Sequence, residues 1–234
     1  AGDATQTYFV KADLFAQPVA VTHHFAGARN LDAYLAWLRA RHPSVQTVWL
    51  MGVSGGGYGA SLNLQRVRRA FPEAQVHLLA DSAPLLPSPH FAAWAAAWNL
   101  QVPAGCTDCD GGLPAVLRAQ LDDAPSSRVA QLSFAEDQVI TRFFYSGGDT
   151  NSWLNPPYAT YAANLVTLEA AYDARVNTRY FRLGGQEHVM VQKYGEVLSD
   201  GGVSAPVRSP DGGTDLKAWV DAWATGTGSW ASQR

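Results

Sequence analysis

Val45-Gln46-Thr47-Val48-Trp49-Leu50-Met51-Gly52-Val53-Ser54-Gly55-Gly56 decides how this chain is read. Val45–Met51 is a near-continuous apolar run, the mark of a strand buried on both faces. Gly52–Tyr58 is a glycine-rich turn, and Ala60–Phe71 carries a helical pattern that Pro72 stops. Strand, sharp turn and helix in that order, with G-x-S-x-G at the turn, make Ser54 a candidate nucleophile lifted above a sheet. The unfavourable backbone angles of such a turn leave room only for hydrogen two residues before and after the serine, hence Gly52 and Gly56. The helix N-terminus behind it puts the Gly55 amide where an oxyanion would form.

Working outward, the periods alternate between helix and strand. Leu31, Tyr34, Leu35 and Leu38 sit at helical spacing that ends at His42-Pro43. Gln75–Ala80, Arg128–Phe134 and Asn177–Leu183 read as further buried strands. Helical patterns occupy Phe91–Leu100, Pro114–Leu121 and Asn155–Ala174, the last with Leu165, Leu168 and Tyr172 on one side. Leu216, Trp219, Val220 and Trp223 make Asp215–Trp223 an amphipathic closing helix, after a surface loop at Asp200–Gly213. The expectation is an α/β chain of α/β-hydrolase type, with a mainly parallel sheet covered by helices on both faces. Residues 1–234 form one domain in this reading, with a cap-like insertion around 81–125.

Composition bounds the function. Hydrophobic residues make up 47% of the 234, enough for a packed core. Seventeen Lys and Arg against 20 Asp and Glu give a net charge of −3 with no basic run, so nucleic acid is not an expected partner. No apolar stretch approaches the ~20 residues that cross a bilayer, so no membrane is expected either. Cys106 and Cys109 form one C-x-x-C without the second ligand pair of a zinc site, and read as a local disulfide or two loop thiols. Low charge and 8 Trp favour a secreted or periplasmic protein. Ala1-Gly2-Asp3 reads as a mature terminus or as the middle of something longer.

A serine nucleophile needs a histidine to take its proton and a carboxylate to orient that histidine. On this kind of turn the partners follow in the order Ser, Asp/Glu, His, each after a later strand. His23, His24 and His42 precede Ser54, His77 lies inside an apolar strand as a core histidine, and His90 sits in a proline-flanked loop. His188 follows the last strand across Gly184-Gly185-Gln186-Glu187 and is the candidate base. Asp137 is the preferred acid, at the carboxyl edge of the third strand. Glu136 would cap or line the site, and Asp149 stands in reserve. Asp81 comes too early to orient the base, and is expected to brace the turn or a loop. The reaction drawn from these residues is acyl transfer, and it requires no cofactor and no metal. The partner is then a small-molecule or polymer ester. Trp94, Trp98, Trp153 and Tyr158 are candidates for an aromatic platform under a sugar or another flat substrate, with plain core packing as the alternative.

Two other readings use the same residues. Gly55-Gly56-Gly57-Tyr58-Gly59-Ala60 satisfies G-x-G-x-x-A, and Asp81 closes the next strand, as in a dinucleotide-binding oxidoreductase domain that would use Gly55, Gly57 and Asp81. That reading leaves Ser54 unexplained. The second is a non-catalytic binding protein built on the same scaffold.

The chain also resembles the pectin acetylesterase family, the group that contains Notum. The residues that carry the likeness are His23-His24-Phe25-Ala26-Gly27-Ala28-Arg29-Asn30, Gly52-Val53-Ser54-Gly55-Gly56-Gly57 and Leu79-Ala80-Asp81-Ser82. Ala135-Glu136-Asp137 and Gly184-Gly185-Gln186-Glu187-His188 complete it. The likeness implies a serine carboxylesterase with Ser54, Asp137 and His188 as its triad, and an acetylated polysaccharide as substrate. Short synthetic esters or polyester agree equally well with the residues. Family members carry, further upstream, a strand and a Gly-Gly-Gly loop that supply other oxyanion donors, and these 234 residues contain no such segment. The resemblance therefore implies an exposed apolar edge at Val45–Met51, and an N-terminal fragment of the same protein as a partner.

Overall fold

A computed structural model describes residues 3–10, 19–146, 150–191, 207–210 and 213–234. The first element is a hairpin that the sequence reading does not contain. Strands β1 (Asp3–Val10) and β2 (Val19–Ala26) pair antiparallel as a separate two-stranded sheet. Helix α1 (Gly27–Arg41) follows, then β3 (Thr47–Val53), the strand expected at Val45–Met51. The helix expected at Ala60–Phe71 is two helices, α2 (Gly55–Leu62) and α3 (Leu64–Ala70). It starts directly behind Ser54, and of the three successive glycines there only Gly57 stands where a Cβ would clash. It breaks at Asn63, whose side-chain amide donates to Gly59 O at 2.7 Å and whose backbone leaves the helical region.

Strand β4 (Gln75–Asp81) leads into the irregular segment, with α4 (Phe91–Ala97), a single 3₁₀ turn at Cys109–Gly111 and α5 (Leu113–Asp123). Cys106 and Cys109 are joined as a disulfide within it. Then come β5 (Val129–Phe134), α6 (Gln138–Ser146), α7 (Thr150–Leu154), α8 (Tyr158–Asp173), β6 (Thr178–Leu183) and α9 (Leu216–Thr225). Helix α8 begins three residues later than expected because Pro156-Pro157 is tolerated only ahead of or within a first turn. Within the loop expected at Asp200–Gly213, residues 200–206 and 211–212 lie outside the described residues.

The four strands expected to form the main sheet do so, all parallel, in the order β3-β4-β5-β6. Side chains alternate between two cores, as a strand period of two requires. Val76, Leu78, Val129 and Tyr180 join the core that also holds Leu35, Leu64, Leu113 and Leu165 of the helices. Leu79, Leu132 and Phe181 face the other way, onto Leu216, Trp219 and Trp223 of α9. The sheet is thus covered on both faces. Asp215 caps α9 by accepting from Ala218 N, and Gly226 ends it at a left-handed φ of 72°. The indole N–H of Trp223 donates to Arg128 O, and that of Trp219 to Ala231 O. Both large rings therefore enter the core with their polar atom satisfied.

His77 is 1% exposed and its Nδ1 accepts from Arg128 N at 3.0 Å. Burial, helped by the Arg128 charge, pulls its pKa down to about 4, so the ring is a neutral core group. At the other margin, β3 pairs only with β4 among the described residues. Trp49 and Met51 on it are 52% and 51% exposed, so the apolar edge expected from the sequence is present. The carboxyl ends of β3, β4, β5 and β6 all open on one side, and each delivers one loop of the site.

Candidate active site

Ser54 lies between β3 and α2 with φ 52° and ψ −125°, a left-handed conformation for a residue with a Cβ. Its N–H donates to Asp81 O at 2.8 Å, and its carbonyl accepts from Tyr58 N at 3.1 Å. Its hydroxyl makes no capping hydrogen bond to α2, which leaves it facing the cavity described below. As a first-turn amide, Gly55 N–H has no intrahelical acceptor.

The two glycines of the G-x-S-x-G pattern are not equivalent. A Cβ on Gly52 would stand 2.1 Å from Gly56 O, whereas one on Gly56 would meet nothing within 4 Å. The tight residue on the far side is instead Gly57, where a Cβ would meet the Ala83 Cβ at 2.5 Å and Asp81 O at 3.2 Å. The helix packs so close against the end of β4 that the third glycine, not the second, is the sterically required one. Gly52→Ala is expected to cost about 3 kcal/mol, the upper end for forced overpacking. That lowers the melting midpoint by roughly 10 °C in a chain of this size. Gly56→Ala should leave the midpoint unchanged or raise it slightly. Thermal unfolding of the two variants checks the asymmetry.

His188 Nδ1–H donates to Asp137 Oδ2 at 2.7 Å. Asp137 is 0% exposed, and its two oxygens have separate tasks. Oδ1 accepts from Val139 N at 3.0 Å and Ile140 N at 2.9 Å, capping α6, while Oδ2 takes the imidazole. Because a carboxylate only accepts, the ring proton sits on Nδ1 and Nε2 keeps a free lone pair. The loops after β5 and β6 are laced together: Glu136 N donates to Gly185 O and Gln138 N to Gln186 O, both at 3.1 Å. Glu136 is engaged by the Gln186 side chain at 3.0 Å rather than by His188. Asp149 lies outside the described residues.

Asp81 performs the bracing expected of it. Its carboxylate is 0% exposed and receives Met190 N at 2.9 Å, Val191 N at 2.8 Å and the Ser82 hydroxyl at 3.1 Å. Burial raises its pKa, and these hydrogen bonds with the nearby His188 pull it back. Ser82 Oγ in turn accepts from Val189 N at 2.9 Å. Asp81 therefore connects the two loops that matter, its carbonyl holding Ser54 N and its carboxylate holding the residues just after His188. So occupied, it offers nothing to a ribose hydroxyl, which removes the dinucleotide reading's acidic partner.

Four non-glycine residues among those described have positive φ, and Ser54 (52°), Ser82 (52°) and Val189 (68°) are three of them. Strain of this kind concentrates at functional sites. Ser82 is a site residue to which the sequence reading gave no role, and the left-handed angle of a β-branched valine has no sequence signal. Among the described residues no hydrogen bond joins Ser54 Oγ to His188. The candidate nucleophile and candidate base stand on loops that Asp81 ties together, and contacts of this kind commonly tighten only with substrate bound.

A cavity of about 630 Å³ opens on Ser54 and Gly55. Phe91, Trp94 and Trp98 from the α4 segment line it together with Ile140, Phe143 and Phe144 of α6 and Trp153 of α7. The rings lock one another. Tyr58 stacks on Phe144 at 5.2 Å, Trp94 meets the edge of Phe144 at 5.3 Å, and Trp98 stacks on Trp94 at 5.7 Å. Trp94 and Trp153, two of the expected platform residues, line this cavity. Tyr158, which opens α8, is not among the lining residues. A larger groove, about 920 Å³ between α1 and α3, carries Arg39, Arg66 and Arg69 but neither Ser54 nor His188. No protein-family model matches this chain, and no curated protein matches it.

Proposed function

We propose that this chain is a serine carboxylesterase acting through Ser54, His188 and Asp137. The observation that carries the reading is the 2.7 Å His188–Asp137 hydrogen bond, set beside a left-handed serine at a helix N-terminus. In the first half-reaction His188 Nε2 takes the Ser54 proton as Oγ attacks the ester carbonyl. The Gly55 amide stabilises the oxyanion, and the imidazolium returns the proton to the departing alcohol. Water then repeats the attack on the acyl-Ser54 ester, releasing the acid. Asp137 holds the tautomer and offsets the charge that appears on the ring. The resemblance to pectin acetylesterases puts acetylated polysaccharide among the candidate esters. The disulfide supports an oxidising compartment, secreted or periplasmic.

The test is covalent trapping. A fluorophosphonate probe should add one adduct per chain, on the tryptic peptide that holds Ser54, and Ser54→Ala should add none. An unlabelled wild-type protein would leave the non-catalytic binding reading in its place.

A further inference from the structure

Resting on the esterase reading, we infer that the acyl group this chain accepts is apolar and extended, a medium-length straight chain or an arylalkanoyl group, rather than acetyl. Three observations lead there. The first is which side of the scissile bond the cavity serves. The alcohol must leave past the imidazole that protonates it, so it lies on the His188 side. The cavity is walled by Ser54 and Gly55 but not by His188, which puts it on the acyl side of the bond.

The second is chemistry. Among the described residues no charged side chain lines the cavity. The one phenol there, Tyr58, already gives its hydrogen to Pro84 O at 3.1 Å and stays protonated, since burial pushes its pKa up. A sugar seated there would lose water from several hydroxyls with little to replace it, at a cost of about 1–3 kcal/mol for each one left unpaired. An aliphatic or aromatic acyl group incurs no such cost. The aromatic platform expected under a sugar is in this structure a wall for an apolar group.

The third is size. About 630 Å³ falls within the range that encloses whole drug-sized ligands, so an acetyl group would leave it nearly empty. Its lining includes buried Phe91, Leu113, Ile140 and Phe144, the last held by ring contacts with Tyr58 and Trp94. A pocket already shaped in this way loses little ordering entropy when an apolar group enters.

The experiment is an acyl series at constant leaving group: nitrophenyl esters from acetate to dodecanoate, with 4-phenylbutanoate, on the whole chain. For each added methylene, kcat/KM should rise about fourfold until the cavity is full, a total of about 10³-fold near the optimum. A straight-chain optimum and a 4-phenylbutanoate optimum distinguish the two apolar sources. Leu100→Trp, which fills part of the cavity, should shorten the preferred chain and lower the octanoate-to-acetate ratio at least tenfold. Because the wild-type series alone decides, a variant that fails to fold does not blunt the test. Ser54-dependent turnover with acetate as the best substrate overturns this inference and leaves the esterase reading standing. No Ser54-dependent turnover of any ester overturns both.

Discussion

Ser54→Ala is expected to lower kcat for a nitrophenyl ester by about 10⁶-fold, the scale seen when a serine of this kind is removed from a complete triad. Nothing else at the position can take over. His188 Nε2 would face a methyl group, and the only catalysis left would come from the Gly55 amide and from binding. Folding should be untouched. The Ser54 hydroxyl makes no capping bond, and alanine meets the same φ of 52° with the same Cβ. The thermal midpoint of the variant should therefore match the wild type within about 0.5 kcal/mol of stability. Steady-state rates and a melting curve on one preparation separate the two quantities. A loss of less than tenfold would assign the nucleophile elsewhere.

Asp137→Asn should cost about 10⁴-fold in kcat with little change in KM. Asparagine keeps the shape and can still cap α6, since its carbonyl oxygen can accept from Val139 N and Ile140 N as Oδ1 does now. Its amide nitrogen then points at His188 and donates, so the ring must present Nδ1 as an acceptor and carry its proton on Nε2. That is the tautomer that cannot take a proton from Ser54. The division of labour between the two oxygens thus allows a substitution that spares the helix and disables the base. Glu136→Gln is the control, because Glu136 contacts Gln186 and not the imidazole. Equal losses in the two variants would mean that the acid has been misassigned.

The parallel sheet was legible because its strands are short apolar-rich runs bounded by turn signals, and each of the four expected runs became a strand. The expected burial on both faces does not hold for β3, where Trp49 and Met51 stand half exposed at the sheet edge. The candidate triad was legible for a related reason. Chain order and the carboxyl edge of a parallel sheet restrict where a base and an acid can stand, and Asp137 and His188 meet there. The hairpin was missed because β1 and β2 mix polar and apolar residues without a steady alternation and pair outside the main sheet. The reading of Gly56 went wrong because pattern spacing cannot show which glycine the end of β4 presses upon.

Local pattern alone, then, was enough for the four strands of the main sheet, the turn at Ser54 and the chain order of the candidate catalytic groups. These depend on neighbours within a turn or a pleat, where spacing maps directly onto geometry. Contacts between distant residues decided the rest. Asp81 reaches Met190 across 109 positions, and Ser82 reaches Val189 across 107. The apolar character of the cavity likewise arises only because α4 and α6 both border Ser54. Each of these is a matter of which surfaces are pressed together, and burial, strain and cavity shape exist only once the chain has folded.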